Sequence, residues 1–271
     1  IQGEEIYVEQ NGQKGQAEDH PMILIVEDNL DLRNYISRNL GDSYEIRTAE
    51  NGKEGLADAI EHIPDLVISD VMMPVMDGVE MCRQLKTEER TNDIPVIMLT
   101  AKADQSSKIE GLETGADDYI IKPFDTEELN VRVRNLIEQR KKLREKFRKE
   151  FASATSIDQD VIHQDKILTR ATDYFNAHID DPDFNMEDMA VELHMSRSQI
   201  FRKVRAVSGS TPQELLRIIR MKKAASLLQA GDDNISQIMY QVGYKSTSHF
   251  ARAFKQAFGL NPSEYKNHRK P

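Results

Sequence analysis

The sequence predicts an α/β domain with a doubly wound, five-stranded parallel sheet, followed by an all-α domain built from two related helical units. The first prediction rests on five short apolar runs that alternate with longer amphipathic stretches. Buried runs separated by helical segments are typical of a parallel sheet that helices cover on both faces. The second prediction rests on a helical pattern from residue 165 onward and on an internal repeat within it. The predicted strands cover 22–26, 44–49, 65–70, 95–100 and 119–122.

Four segments follow from these patterns. Residues 1–20 are polar and lack a sustained period, so we interpret them as a linker or tail. Residues 21–137 form the predicted α/β domain, 138–164 a basic helical linker and hinge, and 165–271 the helical domain. Because residue 1 is Ile, we expect the chain to be a processed or excised part of something longer.

The composition indicates a soluble, helix-rich protein, with 30% charged residues, 6% aromatic residues and no Trp. No apolar run approaches the roughly 20 residues that a membrane span needs, so we expect no membrane contact in this segment. A secretory signal is not visible at the start of the chain. The single cysteine, Cys82, excludes an internal disulfide framework, and we expect a cytoplasmic location.

The net charge of −10 hides an asymmetry between the two domains. Residues 21–137 carry 24 Asp and Glu against 12 Lys and Arg, whereas residues 196–271 carry 4 against 14. An acidic and a basic region in one chain suggest partners of opposite charge, and a basic domain suits a polyanion. The alternative is that charge varies along a solvated surface without a functional meaning.

A single long helix is predicted over 126–151. Its apolar residues follow a spacing of three and four that a basic residue, Arg140, interrupts. Such a seam either joins two copies of the chain in a short coiled coil or packs on its own domain, and the sequence favours neither. The apolar positions are Leu129, Val133, Leu136, Leu143 and Phe147.

The helical domain contains an internal repeat at an offset of fifty residues. Each copy predicts a helix, a short turn, a Ser that caps the next helix, and a second helix with an inward-facing apolar pair and a Gly at its end. One amphipathic helix over 213–229 joins the two copies. The matched residues are Ser196, Ile200, Arg202, Val204, Arg205, Gly209 and Pro212 in the first copy, and Ser246, Phe250, Arg252, Phe254, Lys255, Gly259 and Pro262 in the second.

Five polar residues follow or end the predicted strands, at the edge where open parallel sheets bind ligands. Glu27 and Asp28 follow the first strand and Asp70 ends the third, so three carboxylates should meet there. Clustered carboxylates repel one another, and a divalent cation such as Mg²⁺ relieves this repulsion. Thr100 and Lys122 would offer a hydroxyl and an ammonium to an anion. The set indicates phosphoryl transfer to Asp70, although Glu27 and Asp28 by themselves could be helix-capping acids.

The stretch 22–137 resembles a response-regulator receiver domain, which has a flavodoxin-like fold. The resemblance spans the whole α/β domain and its motifs are highly specific. They are ILIVEDN at 23–29, DLVISDVMMPVMDG at 65–78, PVIMLTA at 95–101 and GADDYIIKPF at 115–124.

The resemblance implies roles for individual residues. Asp70 would accept the phosphoryl group, and Thr100 and Lys122 would contact it. Tyr119 would swing inward when Thr100 moves, and the peptide bond before Pro123 would be cis, as X-Pro bonds can be. The implied Mg²⁺ ligands are Glu27, Asp28, Asp70 and the backbone carbonyl of Met72.

A rival interpretation is a phosphohydrolase of the haloacid-dehalogenase type, which also uses a strand-end Asp and Mg²⁺. That chemistry needs a second acid two positions after the nucleophile, where this chain has Met72. Because Met cannot transfer a proton, turnover is disfavoured, and phosphorylated Asp70 should persist long enough to signal. We therefore do not expect an enzyme; the receiver would phosphorylate only itself, and any kinase activity would lie outside this chain.

Residues 165–266 resemble the DNA-binding domain of the AraC/XylS family, which consists of two helix-turn-helix units. The sequence MEDMAVELHMSRSQIFRKVRAVSG at 186–209 matches the first unit. The second, ISQIMYQVGYKSTSHFARAFKQAFGLNPSEY at 235–265, carries the family's most diagnostic segment. The chain lacks the sugar-binding β domain of the best-known members, and the receiver takes its regulatory place. The resemblance implies binding to double-stranded DNA.

The second helix of each unit would enter the major groove and present residues near its N-terminus to base edges. Arg202 and Arg252 are candidates for bidentate contact with guanine or for phosphate contact, and the sequence leaves both roles open. Phosphate contacts are expected from Lys203, Arg205, Lys255 and the C-terminal Lys266, Arg269 and Lys270. The candidate DNA contacts are Arg197, Ser198, Phe201, Arg202 and Arg205 in the first unit, and Thr247, Ser248, His249, Arg252 and Lys255 in the second.

Together the two resemblances imply a two-component response regulator. A histidine kinase would pass a phosphoryl group from a phosphohistidine to Asp70, and altered dimerisation, with a homodimer when phosphorylated, or domain release would control DNA binding and transcription. The Ile start and polar tail suggest the C-terminal part of a hybrid sensor kinase; a stand-alone response regulator is the alternative. A phosphorelay receiver that acts through protein partners is a further alternative, against which the basic region and the two matched units argue.

Overall fold

The computed structural model describes residues 20–101, 115–153, 165–231 and 234–267. Nearly all of the predicted tail, and residues 154–164 of the predicted linker and hinge, lie outside these ranges. The assignments made for those segments, and the predicted domain bounds, therefore stay predictions. Among the described helices, none is both long enough and apolar enough to cross a membrane.

The N-terminal domain contains five strands: β1 (Met22–Val26), β2 (Glu45–Ala49), β3 (Leu66–Asp70), β4 (Val96–Ala101) and β5 (Asp118–Lys122). They form one sheet in the order β2-β1-β3-β4-β5, and all neighbouring pairs are parallel. The predicted strands agree with these bounds to within one residue at each end. The fold class predicted from the apolar runs is confirmed.

The described part of this domain contains four helices: α1 (Leu30–Leu40), α2 (Gly52–His62), α3 (Gly78–Thr87) and α4 (Thr126–Ser153). They cover both faces of the sheet because successive side chains of a strand point to opposite sides. Ile23 and Ile25 of β1 belong to a core cluster with Leu129 of α4. Leu24 and Val26 belong to the opposite cluster, with residues of α2 and α3.

Side-chain caps explain where the first three helices begin. Asn29, Asn51 and Asp77 each accept a hydrogen bond from a backbone N–H of the first turn, a group that has no partner inside the helix. The cap of α1 is therefore Asn29. The alternative role of Glu27 and Asp28 as capping acids is wrong, and both carboxylates remain available at the sheet edge.

The long helix α4 was predicted correctly, but its apolar seam is not continuous. Val133 is fully buried in the N-terminal domain, whereas Leu143 is 68% exposed. Arg140 is more than an interruption of the pattern: it is buried, donates to the carbonyl of Asp65 at 2.9 Å and pairs with Asp93. The first half of the seam thus packs on its own domain, and the coiled coil stays a prediction.

The C-terminal domain is helical throughout its described part: α5 (Lys166–Ala177), α6 (Met186–Leu193), α7 (Arg197–Ser208), α8 (Pro212–Ala230), α9 (Ile235–Gln241), α10 (Thr247–Phe258) and α11 (Pro262–Asn267). The predicted repeat appears as the pairs α6–α7 and α9–α10, joined by α8. Ser196 and Ser246 cap α7 and α10. Gly209 and Gly259 end them with φ angles of 69° and 75°, a conformation that Gly adopts at no steric cost.

The two helical units differ in where their cores lie. Ile200, Val204, Phe250 and Phe254 are all buried, as the inward-facing pairs predicted. The core of the first unit is continuous with the cluster beneath α2 and α3 of the N-terminal domain. The second unit has a separate core, formed with the C-terminal half of α8. Within the described residues, only the first unit therefore shares apolar packing with the N-terminal domain.

Candidate functional site

Three carboxylates meet at the carboxyl ends of β1 and β3. These strands are parallel neighbours in a register that pairs Val26 with Ser69, so the residues that follow lie side by side. One carboxylate oxygen from each of Glu27, Asp28 and Asp70 lies within 4.8 Å of the other two. Glu27 is almost fully buried, while Asp28 is exposed. An all-oxygen set of this size can hold a divalent cation such as Mg²⁺.

Lys122, the last residue of β5, reaches across the sheet edge to this cluster. Its Nζ atom lies 2.8 Å from Oε2 of Glu27 and 3.0 Å from Oδ2 of Asp70. One ammonium thus partly neutralises two of the three carboxylates and leaves Asp28 to solvent. The sequence predicted that these four residues would lie together, and they do.

The burial of Glu27 changes its acidity. Desolvation raises the pKa of Glu27 above its ordinary value, and the nearby charge of Asp70 raises it further. The hydrogen bond and the charge of Lys122 act in the opposite direction without cancelling the rise. Because a carboxyl must lose its proton to bind a metal ion, cation binding at this site is coupled to the protonation of Glu27.

Two residues that support the cluster were missed by the sequence analysis. Arg33 is buried and donates to the backbone carbonyl of Glu27 at 2.7 Å and to the carboxylate of Glu50 at 2.8 Å. Gly78 begins α3 directly beside Asp70, and a Cβ atom at this position would lie 2.0 Å from the Asp70 carbonyl oxygen. Arg33 fixes the backbone before Asp28, and Gly78 lets α3 start close to Asp70.

The other residues predicted for the receiver site differ in how deeply they are buried. Thr100 is nearly buried near the end of β4, and its hydroxyl donates to the carbonyl of Ala101 at a long 3.4 Å. Tyr119 is half-buried and packs against the core beneath α2 and α3. The side chain of Met72 is 70% exposed. The bond between Lys122 and Pro123 is cis, as the resemblance implied.

In the second helical unit, the candidate DNA contacts form one accessible face of α10. All of them are exposed, and all except Thr247 lie on the side of the helix away from the buried Phe250 and Phe254. Four of them lie within the first two turns, where a recognition helix presents its side chains to bases. These residues are Thr247, Ser248, His249, Arg252 and Lys255.

In the first unit, the corresponding residues line a cleft against the N-terminal domain, and all of them except the half-buried Arg202 are exposed. Arg202 donates to the backbone carbonyl of His62 at 3.1 Å. All five candidates line a cleft whose other wall includes Asp65, Arg140 and Arg144. They are Arg197, Ser198, Phe201, Arg202 and Arg205.

The prediction that Lys203 meets phosphates is wrong for this arrangement. Its side chain is 1% exposed, and its Nζ atom lies 2.5 Å from Asp93 and 2.9 Å from Asp165. Lys203 lies three positions after the buried Ile200, on the flank of α7 that turns toward the N-terminal domain. A sequence pattern cannot separate this position from the exposed flank because both carry basic residues.

Two protein-family models match the chain. The response regulator receiver domain matches residues 23–134, and the helix-turn-helix domain matches residues 189–268. With the parallel sheet and its acidic edge, the first match shows that residues 23–134 form a response regulator receiver domain. The second match shows that a helix-turn-helix domain of the AraC type follows the receiver domain, over residues 189–268.

Individual relatives match one domain or both. Histidine kinase P4 of Formosa agariphila is 40% identical over 249 residues, which are 90% of this chain and 18% of that protein. The DNA-binding dual master transcriptional regulator RpaA of Synechocystis sp. is 45% identical over 118 residues, 43% of this chain and 49% of that protein. The chain thus spans less than half the length of either relative.

Solved structures match the N-terminal part of the chain. One is the receiver domain of sensor histidine kinase PA1611 from Pseudomonas aeruginosa PAO1, crystallised with a magnesium ion in its active site cleft. It is 30% identical, and the match covers 44% of this chain and 98% of that one with a TM-score of 0.42.

Proposed function

We propose that Asp70 accepts a phosphoryl group from a phosphohistidine of a histidine kinase, and that this modification controls DNA binding by the helical domain. The observation that carries the proposal is the ion pair of Asp70 with Lys122, beside the carboxylates of Glu27 and Asp28. A carboxylate at the edge of a parallel sheet, with a cation at 3.0 Å, can act as a nucleophile toward an anionic donor.

The chemistry assigned to these residues is a simple transfer. An oxygen of Asp70 forms a bond to phosphorus while the bond between phosphorus and the imidazole nitrogen breaks. The products are an acyl phosphate on Asp70 and a histidine that takes up a proton. Lys122 offsets the negative charge of the phosphoryl oxygens, and Thr100 is assigned a hydrogen bond to one of them.

We assign Mg²⁺ as the cofactor of this site. The ligands would be the carboxylates of Glu27, Asp28 and Asp70 and the carbonyl of Met72. The all-oxygen donor set and the close approach of its carboxylates support the assignment. When bound, the ion supplies positive charge next to the transferring group and lowers the repulsion between donor and acids.

The proposed consequence of phosphorylation is a change in binding, and not catalytic turnover. The residue two positions after Asp70 is Met72, which cannot act as a general acid toward an attacking water. Tyr119 is assigned the role of a switch that follows Thr100 when the phosphoryl group arrives. A homodimer after phosphorylation is part of the proposal, and size-exclusion chromatography with light scattering would measure it.

The proposed partner of the helical domain is double-stranded DNA. The support is the basic composition of the helical domain and the exposed face of α10, whose Arg252 and Lys255 are free to approach a polyanion from solvent. Contact with DNA implies a cytoplasmic location. We further propose that the chain corresponds to a segment of a hybrid histidine kinase, because the match to P4 runs through both domains. A free-standing regulator is the second possibility.

One experiment tests both halves of the proposal. Acetyl phosphate should add the mass of one phosphoryl group to the chain and should increase its binding to selected duplex DNA in a mobility-shift assay. Asp70→Ala should lose both effects, while Asp118→Ala, which removes an acid paired with Arg132 at 2.7 Å, should keep them. Phosphorylation without DNA binding would favour a phosphorelay receiver, and equal labelling of Asp70→Ala would disprove the acceptor assignment.

A further inference from the structure

The second helix of the first unit, α7, lies against the receiver. Gln199 Nε2 donates to the carbonyl oxygen of Ile60 at 3.0 Å, and Arg202 Nη1 donates to that of His62 at 3.1 Å. Both carbonyls belong to the last turn of α2, where a helix leaves its carbonyl groups without intrahelical partners and carries partial negative charge. Side chains of α7 therefore complete the end of a receiver helix.

A charged cluster extends this contact. The ammonium of Lys203 is buried between Asp93 of the receiver and Asp165 at the start of α5, and Asp93 also pairs with Arg140 of α4. Burial by itself would raise the pKa of Asp93, but the charges and hydrogen bonds of Arg140 and Lys203 outweigh it and lower the pKa to about 2. A buried lysine is tolerated only when paired, so the position of Lys203 depends on the receiver.

The other end of α7 is held in the same way. Arg144 Nε donates to the carbonyl oxygen of Ala206 at 2.6 Å, and its Nη2 donates to Asp65 at 2.7 Å. Ala206 lies in the last turn of α7, so an arginine of α4, beyond the receiver domain, completes this helix end and ties it to Asp65 of the receiver. At Gly209, a Cβ atom would lie 3.1 Å from the Cβ of Arg144, which shows how closely α4 approaches α7.

The second unit lacks the residues that make these contacts. At the offset of fifty, Gln199 corresponds to His249 and Lys203 to Ala253, whereas the candidate DNA contact Arg202 has its counterpart in Arg252. The two units thus share an arginine expected to meet DNA. Among the described residues, Gln199 and Lys203, which bind the receiver, belong to the first unit alone. The five DNA candidates of α10 are exposed away from the receiver, whereas those of α7 line the cleft opposite it, with Arg202 half-buried and the other four exposed to the cleft.

From this asymmetry we infer that the receiver and DNA compete for α7, and that the arrangement seen here offers only the second unit to DNA. To read bases, a recognition helix must enter a major groove about 12 Å wide. With the receiver forming the other wall of the cleft, α7 cannot enter such a groove. The chain then has two DNA-binding states: a short contact through α10 alone and a long contact through both units. The inference rests on the proposed function for the DNA-binding role and does not depend on phosphorylation.

Two substitutions weaken the contact from opposite sides. Gln199→Glu keeps the side-chain oxygen that accepts the Ser196 N–H at 2.9 Å, so the cap of α7 survives. It also places a carboxylate against the carbonyl of Ile60 and against Glu61, whose carboxylate lies 3.3 Å from the amide nitrogen of Gln199. Asp93→Asn acts from the receiver and changes no residue of the helical domain.

A matched control is Asp117→Asn. Asp117 is a receiver acid paired with Lys86 at 2.8 Å, and no described contact joins it to α7. Circular dichroism and labelling by acetyl phosphate would verify that all variants fold. The DNA would be duplexes selected from a random pool by the full wild-type chain treated with acetyl phosphate.

Nuclease footprints measured without a phosphodonor test whether α7 is kept from DNA. The wild-type chain and Asp117→Asn should protect a single segment, and Gln199→Glu and Asp93→Asn should protect roughly 10 base pairs more, the spacing of successive major-groove faces. Both variants should also bind roughly tenfold more tightly or better, because the second contact becomes intramolecular. A long wild-type footprint, or variants that keep the short one, would overturn the inference and leave the proposed function intact. Loss of DNA binding in every form, with phosphodonor included, would overturn the proposed function and the inference together.

Discussion

The Nζ atom of Lys122 lies 2.8 Å from Oε2 of Glu27, a residue 95 positions earlier in the chain whose side chain is 1% exposed. The pair joins β5 to β1 across the intervening strands. It gives a buried acid a cationic partner before any metal ion or phosphoryl group arrives. A bound cation must therefore share Glu27 with Lys122.

Labelling of Asp70 by acetyl phosphate should require Mg²⁺ and should be lost in Asp28→Ala. Three carboxylates close together repel an anionic donor unless a cation offsets their charge, and Asp28 is the exposed member of the three. Intact-mass spectrometry with and without EDTA measures the effect. Asp31→Ala, which changes an acid of the first turn of α1 outside the cluster, is the control and should label normally. Undiminished labelling in EDTA would contradict the metal assignment.

The affinity for Mg²⁺ should weaken as the pH falls, beginning above the ordinary glutamate pKa of 4.5, because the pKa of Glu27 is raised by burial. Below the folded-state pKa of Glu27, each pH unit should cost roughly a factor of ten in affinity for this one proton. Isothermal titration across pH measures it.

The raised pKa of Glu27 also makes the stability of the metal-free protein depend on pH. A carboxyl group whose pKa is raised by folding adds stability at low pH, and this part of the free energy of unfolding is lost as the pH rises through the folded-state value. In Glu27→Gln, which cannot ionise, both pH dependences should flatten. A wild-type Mg²⁺ affinity that does not vary between pH 4.5 and 8 would contradict the role of Glu27.

Gly78→Ala should destabilise the receiver by about 1–3 kcal/mol, the usual cost of overpacking. The added Cβ would meet the Asp70 carbonyl oxygen at 2.0 Å, and a backbone atom cannot move aside as a flexible side chain can. Urea denaturation measures the loss, and labelling by acetyl phosphate should fall because the backbone of Asp70 must shift. Normal stability together with normal labelling would mean that α3 has more freedom beside Asp70 than the structure indicates.

Arg252→Ala should weaken binding to selected DNA by about 1–3 kcal/mol while leaving the fold intact. Arg252 is exposed on α10 between the buried Phe250 and Phe254. If it contacts a base, discrimination against scrambled DNA should fall. If it contacts a phosphate, the affinities for selected and scrambled DNA should fall alike. The slope of log affinity against log salt concentration should then become shallower by roughly one.

The control for this prediction is Arg170→Ala, an exposed arginine on α5 that lies away from both recognition helices in sequence. It should leave both affinities unchanged. Fluorescence anisotropy across salt concentrations separates the roles. Equal binding by wild type and Arg252→Ala to both DNAs would mean that α10 is placed wrongly as a recognition helix.

Much of the fold could be predicted because local patterns set it. A strand buried on both faces appears as a continuous apolar run, and the Ser and Gly caps of α7 and α10 are signals within a few residues of the helices they bound. The acidic site could be predicted because the ends of parallel strands must lie together. These features depend on sequence neighbours or on strand order alone.

The contact between the two domains could not be predicted, and the reason is physical. Lys203 and Asp93 lie 110 positions apart, and each by itself resembles a solvated surface charge. Arg140 interrupts an apolar spacing, which in sequence suggests exposure, yet it is buried between Asp65 and Asp93. Only the folded arrangement brings the opposite charges together and makes their burial tolerable.

The helix α4 gives the molecule a lever arm. It is 28 residues long, about 42 Å at 1.5 Å per residue, and it is anchored at one end by Leu129 and Val133 in the receiver core. Farther along, Arg140 and Arg144 reach Asp93 and the end of α7. A tilt of about 5° at Val133 would displace Arg144, about 16 Å farther along the helix, by roughly 1.4 Å. Since hydrogen bonds are lost beyond about 3.5 Å, this displacement is enough to part Arg144 from the carbonyl oxygen of Ala206, which it contacts at 2.6 Å.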